Sequence, residues 1–243
     1  MTHSACRMCP LRKFPVFAPL DESEVVFMEQ FRRGEIAVAP RSAILREGES
    51  SPHLYTVLRG QGLRYKALED GGRQVLGFIF PGDFIGLQSA VMNEMQHSAE
   101  AATPMTLCVF DRSDLWRLFA EQPARAFDLT CLGAIEEHFL GETIASLGRR
   151  NATERVAWAL VRIHQRLAAV GLERDGAVPF PFRQQDLADA LGLSHVHLNK
   201  TLARLRAARL CNWANGHITA CDLPALARIA MIDLEAPLQR PLI

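Results

Sequence analysis

The sequence predicts an α+β chain in three parts: an N-terminal antiparallel β-roll, a long helix, and a C-terminal winged helix-turn-helix. Three observations carry this. Between Glu35 and about Arg112, short alternating apolar runs are cut at short intervals by glycines, a texture of strands and tight turns. From Asp111 the spacing becomes helical, and Pro123 stands where the first turn of a long helix tolerates proline. From Phe182 to Leu210 the leucines mark two short helices around a tight turn. The expected boundaries are 1–120 for the roll, 121–150 for the long helix and 151–243 for the C-terminal domain.

Taken in order, FPVFAPLDESEVVFMEQFRRG (14–34) predicts a short amphipathic helix, with Asp21 as an acidic first-turn or capping residue and Val25, Met28 and Phe31 on one side. The roll's strands are expected at Ile36–Val38, Ala43–Leu45, Leu54–Leu58, Leu63–Tyr65, Val75–Phe80 and Leu107–Phe110. Turn signals separate them, and Asp70-Gly71-Gly72 is the best hairpin candidate. DRSDLWRLFAEQPARAF then predicts a short helix before the long one.

Along the long helix Phe127, Cys131, Ala134, His138, Ala145 and Gly148 share a stripe, with Ile135 and Ile144 beside it. The stripe suits either pairing with a second copy or an intramolecular core. Asn151-Ala152-Thr153-Glu154 reads as the next cap, opening a helix through Val156, Leu160, Ile163 and Leu167. A loop from Gly171 to Pro181 leads into the helix-turn-helix. Beyond that, Leu210–Trp213 and His217–Thr219 flank Asn215-Gly216, a strand-turn-strand wing. One more helix up to Ile232 and a proline-containing tail close the chain.

The chain's 243 residues and 49% hydrophobic content suffice for two cores. Its formal net charge is zero, so any affinity for nucleic acid must come from a local patch. The N-terminus, MTHSACRMCPLRK, lacks the apolar stretch of a signal peptide, and no apolar run approaches bilayer length. The expectation is a cytoplasmic protein with no membrane partner. The six cysteines, two of them in a Cys6-x-x-Cys9 pair, do not form a secreted disulfide framework; reduced thiols or metal ligands are the expectation.

In the helix-turn-helix, Leu187, Leu191, Leu193 and Leu198 mark a buried face, Ala188 allows the helices to touch, and Gly192 stands at the turn. Ser194 is the expected N-cap of the second helix. Leu198, Leu202 and Leu205 face inward, which leaves His195, Val196, Asn199 and Lys200 outward with Ser194 at the tip. Lys200, Arg204, Arg206 and Arg209 give one sign of charge, as phosphate neutralisation requires. Arg183 and Gln184, heading the first helix, join the candidate DNA contacts. A helical hairpin with a merely solvated basic face would not explain why Ala188, Gly192 and the leucines all fall where this motif needs them. Thr201 alone departs, standing where an aliphatic residue is expected.

The run EGESSPHLYTVLRGQGLRYKALEDGGRQVLGFIFPGDFIG (47–86), in this setting, resembles the effector domain of the Crp/Fnr family of bacterial transcription regulators, and the resemblance extends from about Phe14 to about Ala220. It implies a cyclic-nucleotide-binding-like roll and a homodimer on a two-fold symmetric operator of double-stranded DNA, with RNA polymerase as a partner if the protein activates. Under it the long helix is the dimerisation helix.

In cyclic-nucleotide-binding members of that family, a Gly-Glu pair after the PGDFIG-like turn and a later Arg-Ser pair hold the ribose and phosphate. Here Gly86 is followed by Leu87, and the later pair reads His97-Ser98. Both polar anchors are altered, so cyclic AMP is not expected to bind tightly; loop chemistry beside the roll is the favoured reading of His97 and Ser98. In oxygen-sensing members four cysteines ligate a [4Fe-4S] cluster. Cys6, Cys9 and Cys108 match three of those positions, and Pro15 stands at the fourth. A fourth ligand from His3, Asp21, Cys131 or water would complete an iron-sulfur or zinc site. A metal-free thiol switch at Cys6 and Cys9, or an unknown small ligand in the roll, are the alternatives, and unremarkable buried thiols remain the plain reading. Cys131, Cys211 and Cys221 are assigned to packing.

The recognition helix differs from that of the best-known members, which use an Arg or Val, then Glu, then Arg. His195, Val196 and Lys200 stand there instead, so no carboxylate is offered to a cytosine amino group; His195 and Lys200 can donate to guanine and Asn199 can pair with adenine. A different operator is expected. An enzyme is not: a cupin-like metal site wants clustered ligands on the strands, and only His53 and His97 lie in the roll region, with no nucleophile-base set elsewhere.

Overall fold

The computed structural model describes residues 6–234 and 238–243. They form two compact units, one made of the described residues up to 136 together with 239–243, the other of those between 137 and 238.

The first unit opens with a 3-10 turn at Cys6–Met8 and helix α1 (Glu22–Phe31). Asp21 caps α1: its carboxylate accepts from the Glu24 amide while the Glu24 side chain accepts from the Asp21 amide. The helix is shorter than the 14–34 pattern suggested, because β1 (Arg32–Val38) starts directly at its end. Val25, Met28 and Phe31 are buried as expected, and the Phe31 ring stacks on Phe110 at 5.3 Å.

The strands that follow are β2 (Ala43–Leu45), β3 (His53–Arg59), β4 (Gly62–Ala67), β5 (Arg73–Ile79), β6 (Phe84–Ile85), β7 (Ser98–Ala101) and β8 (Met105–Asp111), with helix α2 (Leu87–Met92) between β6 and β7. They pair as two four-stranded antiparallel sheets, β1-β8-β3-β6 and β2-β7-β4-β5, around Val57, Ile79, Ile85, Ala101, Met105 and Leu107. Asp70-Gly71-Gly72 does close the β4–β5 hairpin, and the Asp70 carboxylate accepts from the Gly72 amide at 2.8 Å. Strands β6 and β7 and helix α2 escaped the sequence pattern. The two strands are too short to show alternation and earn their pairing only from distant partners, β3 and β4.

A 3-10 turn (Arg112–Asp114) and α3 (Leu115–Glu121) precede the long helix α4 (Pro123–Arg149), which Pro123 opens as expected. Its first turns dock on α1 through Arg125, 5% exposed, whose guanidinium lies 3.0 Å from the Glu24 carboxylate.

In the second unit α5 (Ala152–Ala169) starts at the expected cap, Asn151 and Glu154 exchanging side-chain to backbone hydrogen bonds. β9 (Ala177–Pro179) follows, then α6 (Gln184–Leu191), α7 (His195–Ala207), β10 (Cys211–Ala214), β11 (His217–Ala220) and α8 (Leu223–Ala230). The Gly171–Pro181 stretch, expected to be a loop, thus holds a strand, and the wing is a three-stranded sheet, β10-β11-β9. Proline at the end of β9 and only three residues in the strand hid it. The hairpin turn Asn215-Gly216 takes φ of 51° and 71°, the left-handed pair that such a two-residue connection needs. The last helix stops at Ala230, two residues before the expected Ile232. Cys221 is exposed rather than packed, because it falls in the turn between β11 and α8.

Candidate nucleic-acid interface and sensor site

The helix-turn-helix is built on local capping. Gly192, at φ 60°, ends α6, and the Leu193 amide bonds back to the Ala188 carbonyl at 3.0 Å, so the chain reverses over a small residue with no side chain in the way. The Ser194 hydroxyl then accepts from the His197 amide at 3.2 Å and starts α7. Leu187, Ala188, Leu198 and Leu205 are buried. Leu193 and Leu202 are half-buried at the margin.

Thr201, the one discordant residue, is fully buried, and its hydroxyl donates to the His197 carbonyl one turn back at 3.0 Å. A buried hydroxyl satisfied within its own helix behaves as a small apolar residue, which is why it fits an aliphatic position.

What remains outward is the expected set. Ser194, His195, Val196, Lys200 and Arg204 are exposed and Asn199 is half-exposed, its amide 3.3 Å from the His195 ring nitrogen. Val196, 61% exposed, is an apolar side chain offered to solvent, suited to a thymine methyl. Arg183 heads α6 with its guanidinium 3.0 Å from Asp186, while Gln184 is half-buried beside it. Trp213 in the wing anchors that sheet by donating its indole N–H to the Phe180 carbonyl at 3.3 Å.

The residue that sequence reasoning missed here is Arg155. From the first turn of α5 its guanidinium donates to the Leu191 carbonyl at 2.7 Å, to Leu147 at 2.8 Å and to Arg150 at 3.1 Å. It satisfies the C-terminal carbonyls of both α4 and α6, fixing the end of the first motif helix against the end of the long one. No local signal announces it, since Leu191 is 36 residues away.

Along α4 the stripe Phe127, Ala134, Ile135, His138 and Ala145 is exposed, and Cys131 is half-buried. Phe127 is 68% and Ile144 70% exposed, so within one chain this face is not core. The buried side of the helix is a different one, carrying Ala126, Leu129 and Ser146.

In the roll Ser98 is not in a loop. It opens β7, pairs with Tyr65, and accepts from the Glu47 amide at 3.1 Å. His97 beside it is half-buried, and burial, reinforced by the Arg64 charge, pulls its imidazole down to about 4, so it is neutral at physiological pH. Arg64, another residue missed from sequence, turns inward to pair with Glu136 of α4 and donates to the Phe84 carbonyl at 3.4 Å. It had the look of a solvent-facing residue between Leu63 and Tyr65. Gly86, at φ 100°, is buried against β3 at the start of α2, and Leu87 is half-buried. The roll thus has a neutral imidazole and an apolar side chain at the two anchor positions, with its nearby cation already engaged.

Cys6, Cys9 and Cys108 are brought into one another's electrostatic reach, around the guanidinium of Arg32. Burial pushes the Cys6 thiol up to about 11 and Cys108 up to about 12, and raises Cys9; Arg32 works against each. Cys108 sits on β8 opposite Glu35 and Thr56. Among the proposed fourth ligands, Asp21 is committed to capping α1, and His3 lies outside the described residues. Among the described residues no three His, Cys, Asp or Glu side chains converge closely enough to hold a metal ion, so the thiols as placed do not fit a metal or cluster. No helix among them is long and apolar enough to cross a membrane.

Comparison with known proteins fits this architecture. The description "Cyclic nucleotide-binding domain" matches residues 35–122, and "Crp-like helix-turn-helix domain" matches 154–229. The nitrogen fixation regulation protein FixK of Bradyrhizobium diazoefficiens is 31% identical over 89% of this chain and 90% of its own length. The transcriptional activatory protein AadR of Rhodopseudomonas palustris is 32% identical over 75% of this chain and 76% of its own. The solved structure of FixK2 from Bradyrhizobium japonicum superposes with a TM-score of 0.74 at 27% identity, covering 83% of this chain and 98% of that one. These relatives are regulators rather than enzymes, and the chain belongs to the Crp/Fnr family of transcription regulators.

Proposed function

We propose that the protein works as a homodimer that binds a two-fold symmetric operator through α7, without cyclic AMP, and that its signal enters through the cysteines of the first unit. The observation that carries the reading is the outward face of α7, where Ser194, His195, Val196, Lys200 and Arg204 are exposed on a helix capped at the tip that would enter the groove. The absence of a carboxylate among them favours a half-site unlike that of the best-known members.

Selection from random double-stranded DNA tests it. The expected product is a palindrome whose half-sites are centred about one helical turn apart. Lys200→Ala is expected to weaken binding roughly tenfold, and to reduce the salt slope by about 1 if the lysine meets phosphate. Recovery of the half-site read by a recognition-helix glutamate would refute the assignment of α7.

The exposed apolar stripe of α4 supports dimerisation, since a second copy presents the same stripe to it. Ile135→Lys, which puts a charge into that seam, is expected to sediment as a monomer and to lose operator binding.

The mutual electrostatic reach of Cys6, Cys9 and Cys108 supports redox sensing by the thiols themselves; a bound metal or cluster is the second reading, which their placement does not favour. Burial keeps both thiols protonated at rest, so oxidation of Cys6 and Cys9 to a disulfide requires an opening of this region that lets a thiolate form. Anaerobic purification with iron, sulfide and zinc analysis separates the two. Metal lost in Cys9→Ser protein establishes a ligand site; metal-free protein that forms a Cys6–Cys9 disulfide in air establishes the switch.

A further inference from the structure

After α8 the chain leaves the DNA-binding unit, and residues 239–243 belong to the roll's unit instead. They pair with it at a single isolated bridge. Arg240 bridges Phe17 in parallel register, its amide donating to the Val16 carbonyl and its carbonyl accepting from the Ala18 amide, both at 2.8 Å.

Its guanidinium rests on the Phe17 ring, 5.1 Å from the centroid, and donates to the Asp83 carboxylate at 2.9 Å. That carboxylate is 6% exposed and the Arg240 side chain 18%. Gly82 makes room for both: a Cβ there would stand 2.2 Å from the Phe17 ring and 2.9 Å from the guanidinium. Further along, Leu242 and Ile243 are 5% and 7% exposed, and the Thr56 hydroxyl donates to the Ile243 carbonyl. The groove therefore recognises an extended peptide in three ways: by backbone pairing, by a buried ion pair and by two apolar side chains.

We propose that residues 239–243 are a self-ligand, a peptide arm that docks reversibly on the first unit, between residues 16–18, Thr56 and the Pro81–Asp83 turn. Reversibility follows from the size of the contact. One bridge, one ion pair, a few side-chain hydrogen bonds and two apolar side chains are the scale of a local opening, well below that of global unfolding.

The groove is also placed to respond. The Pro81–Asp83 turn runs through β6 into Gly86 and Leu87, and Asp83 lies within electrostatic reach of Arg64 as well as of Arg240. Arg64 in turn holds Glu136 of the long helix. A ligand or shift that draws Arg64 or Asp83 elsewhere must change the arm's affinity, and by linkage docking of the arm biases that ligand or shift to the same degree. The inference is independent of the operator and of the cysteines.

Hydrogen exchange on the full chain tests it. In the wild-type protein the amides of Ala18 and Arg240 are expected to be protected. Arg240→Ala should raise their exchange roughly tenfold or more, and Arg240→Lys by less. In a variant lacking 239–243, millimolar peptide Leu-Gln-Arg-Pro-Leu-Ile should restore protection at Ala18, whereas the same peptide with glutamate for arginine should not. Exchange at Ala18 that is unchanged by the deletion would overturn the groove. Wild-type protection in Arg240→Ala protein, or a deletion variant that folds but ignores the peptide, would make the segment a permanent part of the core and overturn the releasable arm.

Discussion

The two units of the chain treat charge in opposite ways. On α7 the cations point outward from a helix whose polar groups are satisfied within the helix or at its cap. In the roll and its first helices the charges turn inward: Asp83 and Arg125 are 6% and 5% exposed, and the Arg64 side chain is 14% exposed. Outward charges act on a partner's affinity and leave the fold alone, whereas inward ones hold two elements together and penalise any movement that separates them. The contrast suits a transcription regulator whose second unit carries a Crp-like helix-turn-helix.

The sharpest challenge to this division is Arg155 of α5, a cation of the second unit that behaves like those of the roll. It serves carbonyls of Leu191, Leu147 and Arg150 at once. Arg155→Ala leaves these acceptors without the guanidinium and is expected to destabilise the second unit by about 3 kcal/mol, with operator binding failing in parallel. Arg155→Lys should recover only part, because an ammonium lacks the planar fork. Denaturant unfolding followed by the fluorescence of Trp158 and Trp213 reads the change. A variant within about 0.5 kcal/mol of wild type would mean the helix ends need no such tie.

A smaller effect belongs to the roll. His97 has its pKa depressed to about 4 by burial and by Arg64, with Glu136, Glu47 and Lys66 also facing it. Because its folded pKa lies below the unfolded value, the unfolded chain binds the extra proton first. Stability contributed by the neutral ring is therefore complete above about pH 6.5 and lost as pH falls toward 4, by at most about 3 kcal/mol. His97→Gln should flatten that slope, leaving only the carboxylates to titrate. Parallel pH profiles for wild type and variant would show instead that the ring is solvated.

The same division decides what could be read from sequence. The helix-turn-helix was legible because its determinants are local: Gly192 ends one helix, Ser194 starts the next, and the leucine spacing fixes the buried face within a few residues. Asp21 and Asn151 announced their helices for the same reason. The roll was legible only in outline. Strand β7 exists because it pairs with β2 and β4, Arg64 turns inward because Glu136 awaits it 72 residues on, and Arg240 finds Asp83 across 157 residues. Cys6, Cys9 and Cys108 were singled out by the family resemblance; that they lie within one another's electrostatic reach depends on β8 and Arg32, which no spacing encodes.

The finest test of the contrast is Thr201. If polar groups on the reading side are settled locally, replacing this buried hydroxyl should cost little, although the site is fully enclosed. Thr201→Val removes one hydrogen bond to the His197 carbonyl, worth about 1 kcal/mol, and substitutes a methyl that gains from burial among Leu198 and Leu205. The two effects offset, so unfolding free energy should stay within about 1 kcal/mol of wild type and operator affinity within about twofold. Urea titration of both proteins, with binding to the selected operator, measures it. A loss of about 2 kcal/mol or more would mean that the hydroxyl also sets the geometry of the first turn of α7, which carries Ser194 and His195, and α7 would then share the roll's dependence on buried polar contacts.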